Sequence, residues 1–236
     1  MWEIGDYLSS PSNREKVLGL LGDHVYLAIL PLLIGLVVAI PLGWAAQRTG
    51  WLRGTLLGAS NVVYTIPSLA LFVVMPAILG TKIIDGMNVV AALALYVAAL
   101  LVRSVIDALD AVPAHVVAAA TAMGYGPLRR FLVVELPLSV PVLAAGVRVA
   151  SVSNISLVSV GAFLGIGGLG QLFTEGFQNR YLAPILIGIA LTILLAVAVD
   201  LLLVGLRRLL TPWTRAETRA ETRAGTRAET RAGVAG

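Results

Sequence analysis

One motif in the sequence has residue types and spacing compatible with a cofactor site. The segment Gly165-Ile-Gly-Gly-Leu-Gly170 shows the glycine spacing of the dinucleotide-binding fingerprint. That fingerprint works only between a strand and a helix, with an acidic residue about 20 positions later. Here the glycines follow a long apolar stretch, and the next acid is Glu175. We therefore interpret the segment as a tight glycine turn or a close contact between helices.

Nucleotide and metal chemistry find little support elsewhere. The only lysines, Lys16 and Lys82, lie outside any phosphate-binding loop of the Walker type. The two histidines, His24 and His115, lack the spacing of a zinc site, and the chain has no cysteine. We interpret His24 as a residue at the level of the lipid headgroups rather than as a ligand. We predict no cofactor and no metal. A membrane-embedded enzyme is disfavoured, because the sequence shows no paired carboxylates and no Ser/His pair that could perform catalysis.

Polar side chains within apolar stretches are a more informative group, because such residues are costly in a membrane and often functional. Pro67 frees a backbone carbonyl that a substrate or a neighbouring helix could use. The alternative to a direct functional role is bonding between helices or, for the arginine, extension of the side chain toward the inner face. If the chain forms a path for a solute across a membrane, the candidates that would line it are Asn61, Tyr64, Thr65, Arg148 and Asn154.

The composition places these residues in a membrane. Of the 236 residues, 58% are apolar and 13% are charged, and the mean hydropathy is +0.91. Ordinary water-soluble domains do not reach such values. Uncharged stretches such as residues 25–46 and 54–80 exceed the roughly 20 residues that cross a bilayer as a helix. The sequence therefore predicts an all-α, polytopic membrane protein and excludes a secreted or cytosolic enzyme.

Five apolar spans are predicted, over residues 25–46, 54–80, 88–106, 136–163 and 181–206. The second span contains two prolines, so it is either one kinked helix or two shorter pieces, which leaves five or six crossings. Basic residues favour five crossings with an external N-terminus. Outside the tail, seven arginines then lie on the inner side and four basic residues on the outer side, as the positive-inside rule requires.

The ends of the chain differ from its middle. Residues 1–24 are predicted to form an external segment with an interfacial helix over residues 13–22, and residues 25–208 the transmembrane domain. From Thr214 the sequence repeats Thr-Arg-Ala-Glu or Thr-Arg-Ala-Gly five times, which accounts for +2 of the formal net charge of +4. We interpret residues 209–236 as a disordered cytoplasmic tail rather than a nucleic-acid-binding segment. The alternative is a basic segment that contacts anionic lipid.

The loop between the third and fourth spans, residues 107–137, has the most distinctive pattern. We expect Asp110 to cap a helix over residues 114–123, whose alanines are the best helix formers. Gly124 suits the left-handed residue that ends a helix, and Pro127 can begin a second one. A short Ala-rich helix has a surface of small side chains that suits docking into a cleft of another protein. The alternative is a plain connection between spans.

This loop resembles the Glu-Ala-Ala loop of ABC importer permeases. In that family the motif Glu-Ala-Ala-x-x-x-Gly is followed, after nine residues, by Ile-x-Leu-Pro. Val134 replaces the isoleucine, and Ala118 stands where the family has its glutamate. The missing glutamate removes any salt bridge that this position would make to an ATPase. The residues that match are Ala119, Ala120, Gly124, Leu136 and Pro137.

Two further stretches, residues 64–71 and 161–170, are similar to permeases of osmoprotectant importers, which carry glycine betaine, carnitine or choline. The resemblance covers about residues 13–208. It implies a location in the inner (cytoplasmic) membrane, a second permease subunit in a homo- or heterodimer, cytoplasmic ATPase subunits that hydrolyse ATP, and an external substrate-binding protein. The coupling residues that it implies are Ala119, Ala120, Gly124, Arg129, Arg130, Leu136 and Pro137.

Two other transport functions are weighed against this one. An ABC permease for an amino acid such as methionine would show the same loop. A secondary transporter would normally need several ionisable groups near the midplane and repeated halves. Arg103 lies near the inner end of the third span, only Arg148 and Asp200 fall deeper within the spans, and no long repeat is visible. The sequence therefore favours the importer.

The absence of cysteine allows a direct test of the predicted topology. A single cysteine placed at Ser10 should react with a membrane-impermeant reagent in intact cells, because this residue is predicted to be external. A single cysteine at Ala235 should react only after the membrane is opened. Labelling of the cysteine at position 235 in intact cells would show that the C-terminus is external and that the predicted topology is wrong.

Overall fold

The computed structural model describes residues 2–213, with side chains from residue 4 onward. The repeat that begins at Thr214 lies outside the described residues, so its predicted disorder stays a prediction, whereas Leu209 and Leu210, which the prediction placed in the tail, are helical. Within residues 2–213 the chain is helical and has no strand. The helices are α1 (Trp2–Ser9), α2 (Pro11–Arg48), α3 (Gly50–Thr65), α4 (Ser68–Leu79), α5 (Gly86–Asp110), α6 (Ala114–Ala122), α7 (Pro127–Arg130), α8 (Leu136–Gly161), α9 (Gly170–Gln178) and α10 (Leu182–Leu210).

Four continuous helical segments are long and apolar enough to cross a membrane. They are α2, α5, α10 and residues 127–164, in which a π-helical turn (Phe131–Glu135) joins α7 to α8 and a 3₁₀ turn (Ala162–Leu164) follows. Helices α3 and α4 are bent by 105° at a short break and together form a fifth, broken span. The structure therefore contains the two shorter pieces that the prolines of the second span allowed, and five spans in all when the pair counts as one.

The first span begins earlier than predicted. Helix α2 runs without interruption from Pro11 to Arg48, so the expected interfacial helix over residues 13–22 is not a separate element. No proline occurs between Pro11 and Pro31, and single glycines cost only about 1 kcal/mol in a helix. Nothing in the local sequence therefore ends the helix at the membrane boundary.

Helix α5 lies at the centre of the bundle. Most residues of its apolar segment are buried within the bundle, whereas most residues of α10 are exposed. Helices α2, α3, α4 and α8 all pack against it. The remaining spans therefore surround α5 and leave apolar faces exposed, as expected for helices that contact lipid or another subunit.

The contact between α2 and α5 depends on glycine. Gly35 and Gly43 of α2 face Val97 and Val105 of α5, and a Cβ atom at Gly43 would lie 2.5 Å from Val105 Cγ1. Lipid is as apolar as the side chains, so helices associate in a membrane through close packing, which small residues permit. The two glycines let the backbones approach along about two turns of each helix.

Ion pairs mark the two ends of the bundle. At one end Arg53 pairs with Asp110 at 2.8 Å, and at the other Lys16 pairs with Glu175 at 2.5 Å.

The prediction that Asp110 caps α6 is wrong. Asp110 is the last residue of α5, and α6 begins directly after Pro113 instead. The carboxylate of Asp110 instead pairs with Arg53, which is distant in the sequence.

Substitution of Gly43 by leucine should destabilise the protein, because the new side chain must displace Val105. Overpacking of this kind costs about 1–3 kcal/mol. Gly19 lies on the same helix and has open space around its Cα, so Gly19→Leu is the matched control. Thermal unfolding in detergent should show a lower midpoint for Gly43→Leu only. Equal midpoints for the two variants would contradict the packing account.

Candidate functional site

Helix α6 ends as its glycine predicts. Gly124 has φ 83°, and its N–H donates to the carbonyl of Thr121 at 3.0 Å. The N–H of Tyr125 donates to the carbonyl of Ala120 at 3.1 Å. These two bonds form a Schellman motif, which satisfies the last carbonyls of the helix and reverses the chain. The loop thus contains a defined helix with a fixed exit.

The two matched alanines of α6 have different surroundings. Ala120 is buried, whereas Ala118 and Ala119 are exposed. Met123 and Leu128 are also largely exposed, at 69% and 58%. The outward surface of α6 and α7 is therefore formed by small and apolar side chains, which suits contact with another protein.

The two loop arginines also differ. Arg129 is exposed, and its guanidinium lies 4.7 Å from the centre of the Tyr125 ring. Arg130 turns inward: its Nε is 2.5 Å from Glu135 Oε1, and its Nη1 donates to Thr121 Oγ1 at 2.7 Å. Only Arg129 is free to reach a partner protein without breaking contacts to acids or hydroxyls within the described residues.

Leu136 and Pro137 begin the long helix α8 directly after the π-helical turn. The N–H of Leu136 donates to the carbonyl of Phe131, five residues earlier. Pro137 has no N–H, so it cannot donate to the preceding turn. The Val134-x-Leu136-Pro137 part of the motif therefore corresponds to an irregular turn at the entrance of a span. The sequence analysis assigned no role to Glu135. An acid at the start of an apolar span, close to two arginines, is nevertheless a pattern that indicates an ion pair.

The path candidates of the second span lie together on α3. Asn61, Tyr64 and Thr65 are exposed, and no residue of α3 is buried. The Tyr64 ring meets the ring of Tyr96 edge-on, with 5.7 Å between the centroids. The Tyr96 hydroxyl donates to the carbonyl of Ile66. A neighbouring helix thus uses the carbonyl at the break between α3 and α4.

Arg148 and Asn154 do not join that group. Arg148 forms a bidentate pair with Asp200 of α10, with distances of 2.6 and 2.7 Å. Asn154 is buried and donates from Nδ2 to the carbonyl of Ala28 in α2 at 2.6 Å. Both side chains bond neighbouring helices, the alternative that the sequence left open, and the structure does not gather the five path candidates into one site.

His24 does not contact lipid headgroups through an exposed side chain. The side chain is fully buried. Its Nδ1 accepts from the N–H of Leu169 at 3.1 Å, so Nε2 carries the proton and donates to the carbonyl of Ile155 at 3.0 Å. The early start of α2 buries this position beneath the glycine turn. Gly165 and Gly168 of that turn have φ of 74° and 103°, which confirms the prediction of a glycine turn.

The architecture and the loop can now be compared with known proteins. A sequence model of the inner membrane component of binding-protein-dependent transport systems matches residues 30–215. The chain belongs to this family. It is a permease subunit of an ABC importer and a multi-pass protein of the inner membrane.

Two relatives and one solved structure show how far the likeness extends. The permease is 34% identical to the osmoprotectant import permease protein OsmW of Salmonella typhimurium over 203 residues, which cover 85% of this chain and 94% of the relative. It is 32% identical over 211 residues to the glycine betaine/carnitine/choline transport system permease protein OpuCD of Bacillus subtilis, covering 89% and 90%. The inward-facing MetNI methionine ABC transporter has the same fold, with a TM-score of 0.76 at 22% identity, over 86% of this chain and 99% of that chain.

Proposed function

We propose that the permease imports quaternary ammonium osmoprotectants such as glycine betaine, choline and carnitine. The observation that carries this proposal is the 34% identity to an osmoprotectant import permease over nearly the full length of both chains. The likeness to a methionine transporter is limited to the fold, at 22% identity. Methionine or another amino acid is therefore the second candidate substrate.

The assembly that we propose has two copies of this permease or a pair of related permeases, cytoplasmic ATPase subunits and an external binding protein. Arg48, Arg53 and Arg130 gather at one end of the bundle together with α6, and the positive-inside rule favours the cytoplasm for that end. The N-terminus then lies outside, and α6 faces the ATPase.

The exposed polar face of α3 supports a second permease subunit. Asn61, Tyr64 and Thr65 are exposed within a span. Polar side chains are costly in lipid and usually face a protein interior or a water-filled cavity. A second subunit packed beside α3 would enclose such a cavity between the two copies. These three residues would then line the path of the substrate.

The chemistry of the face is compatible with the proposed substrates. A quaternary ammonium group has no hydrogen-bond donor, so proteins recognise it through aromatic faces, with about 0.5–2 kcal/mol for each contact. Tyr64 is 47% exposed on this face. A single ring offers weak binding, which suits a passage from which the solute must also leave. Selectivity then belongs to the external binding protein.

ATP-driven closure of the ATPase subunits would move α6 and rock the spans between outward and inward states. The exposed surface around Ala119, Met123 and Leu128 would fit a cleft of the ATPase, and Arg129 would meet an acidic group there. Because Ala118 replaces the family's glutamate, the docking contact has no acid of its own at this position.

Substrate choice can be measured with the purified complex of permease, ATPase and binding protein in liposomes. We expect ATP-dependent uptake of radiolabelled glycine betaine, choline or carnitine and no uptake of methionine. Liposomes with the permease and ATPase but without the binding protein are the control and should show little uptake. Uptake of methionine without any of the three ammonium solutes would refute the substrate class and leave the importer architecture intact.

Substitution of Gly124 by leucine should uncouple ATP hydrolysis from uptake. A branched residue in a left-handed conformation costs about 1–2 kcal/mol, and the exit of α6 would change direction. Gly126 has φ of −65° and open space around it, so Gly126→Leu adds the same side chain without backbone strain. Uptake per ATP hydrolysed should fall in Gly124→Leu only. A similar ratio of uptake to ATP hydrolysis in both variants would show that the Schellman motif has no role in coupling.

A further inference from the structure

Glu135 is a buried carboxylate at the entrance of a membrane span. Only 4% of its side chain is exposed. A buried charge is stable only when it is paired and hydrogen-bonded. Arg130 supplies the close partner at 2.5 Å, and Arg48 of α2 lies 4.0 Å away. Two arginines from different elements thus compensate one acid.

The π-helical turn brings Arg130 and Glu135 together. In an α-helix, residues three and four apart are neighbours on the surface, and residues five apart point to different sides. The π-helical bond from the N–H of Leu136 to the carbonyl of Phe131 adds one residue to the turn. Residues five apart then lie on one side. Return to an α-helical turn would rotate Arg130 by about 100° relative to Glu135, so the π-helical turn is what places the two side chains on one side.

The pair is the middle of a longer chain of contacts. On one side, Arg130 bonds Thr121 of α6. On the other, Arg48 donates from Nη2 to the carbonyl of Pro127 at 3.3 Å and lies 4.5 Å from the centre of the Trp44 ring. Contacts therefore run from α6 through the π-helical turn to the inner end of α2.

We infer that Arg130 and Glu135 are positioning residues that make α6, the start of α8 and the end of α2 move as one unit. This inference rests on the proposed ATP-driven function. When the ATPase displaces α6, the Arg130 guanidinium carries the displacement to Glu135 and thus to two long spans. The link lies wholly within this chain, which has no glutamate of its own at position 118.

Three variants test this role in the reconstituted complex. Glu135→Gln keeps the shape of the side chain and removes its charge, and Arg130→Gln removes the guanidinium. Thr121→Val removes the bond from Arg130 to α6, together with the bond from the Thr121 hydroxyl to the carbonyl of Val117, and leaves the buried pair intact. Uptake of glycine betaine per ATP hydrolysed should fall in all three variants, within the range of about 2- to 30-fold by which residues in such networks change coupling. Copurification of the ATPase should be normal.

Two controls separate this role from a purely structural one. Arg53→Gln breaks the Arg53–Asp110 pair at the same end of the bundle, and Thr55→Val removes another exposed helical hydroxyl. Both should keep the ratio of uptake to hydrolysis. An unchanged ratio in Thr121→Val, or equal losses of uptake and hydrolysis in the other two variants, would overturn the inference. Thr121 is exposed, so its variant keeps the test decisive even if a Glu135 variant fails to fold.

The same measurements separate this inference from the substrate proposal. If the wild-type complex imports methionine and not glycine betaine, the substrate proposal fails, and the ratio is measured with methionine instead. A fall of that ratio in the three variants would still support the role of Arg130 and Glu135. An unchanged ratio with the transported solute would overturn that role alone.

Discussion

Inside a bilayer a polar group has no water to bond, so it must find its partner within the protein. This constraint decides how the spans of the permease are held together. Arg148 meets Asp200 between α8 and α10, Asn154 meets the backbone of α2, and His24 bonds α8 and the glycine turn with its two nitrogens. The apolar surfaces alone would allow the helices to slide, because lipid contacts them equally well. The few polar bonds fix which helix lies beside which and at what height, and glycines in α2 permit the close approach to α5.

The same constraint shapes the end of the bundle that carries α6. Glu135 is buried there and is compensated by Arg130 and Arg48, which belong to different elements. A buried acid with two arginines ties the helix that we propose to meet the ATPase to two spans. The cost of leaving the charge unpaired, about 3–5 kcal/mol for buried pairs in general, makes such a connection stiff. Stiffness is what a part that transmits motion requires, because a flexible loop would absorb the displacement.

Helix α3 is the exception that points to function. Its polar residues Asn61, Tyr64 and Thr65 are exposed within a span. The Thr65 hydroxyl donates to the carbonyl of Val62 in its own helix, whereas the other polar groups described above bond neighbouring elements. The membership of the permease in a binding-protein-dependent transport family gives this exception a meaning. A surface that is unfavourable in lipid is the surface on which a second subunit and a path for the solute would be expected. The permease thus separates a bonded scaffold around α5 from a polar face on α3.

The sequence by itself determined the features that depend on neighbouring residues. Hydropathy defined the spans, Pro67 divided the second one, alanines and Gly124 defined α6 and its left-handed end, and loop spacing identified the family. The tertiary structure decided the polar partners that join separate spans, because those partners are far apart in the chain: Asn154 and Ala28 are separated by 126 residues, and His24 and Leu169 by 145. The sequence also missed Glu135 and its π-helical turn, since Arg48, one of the two arginines that compensate the acid, lies far away in the chain on another helix. Local rules act through backbone geometry over one or two turns, whereas the cost of an unpaired polar group is settled only when distant helices meet.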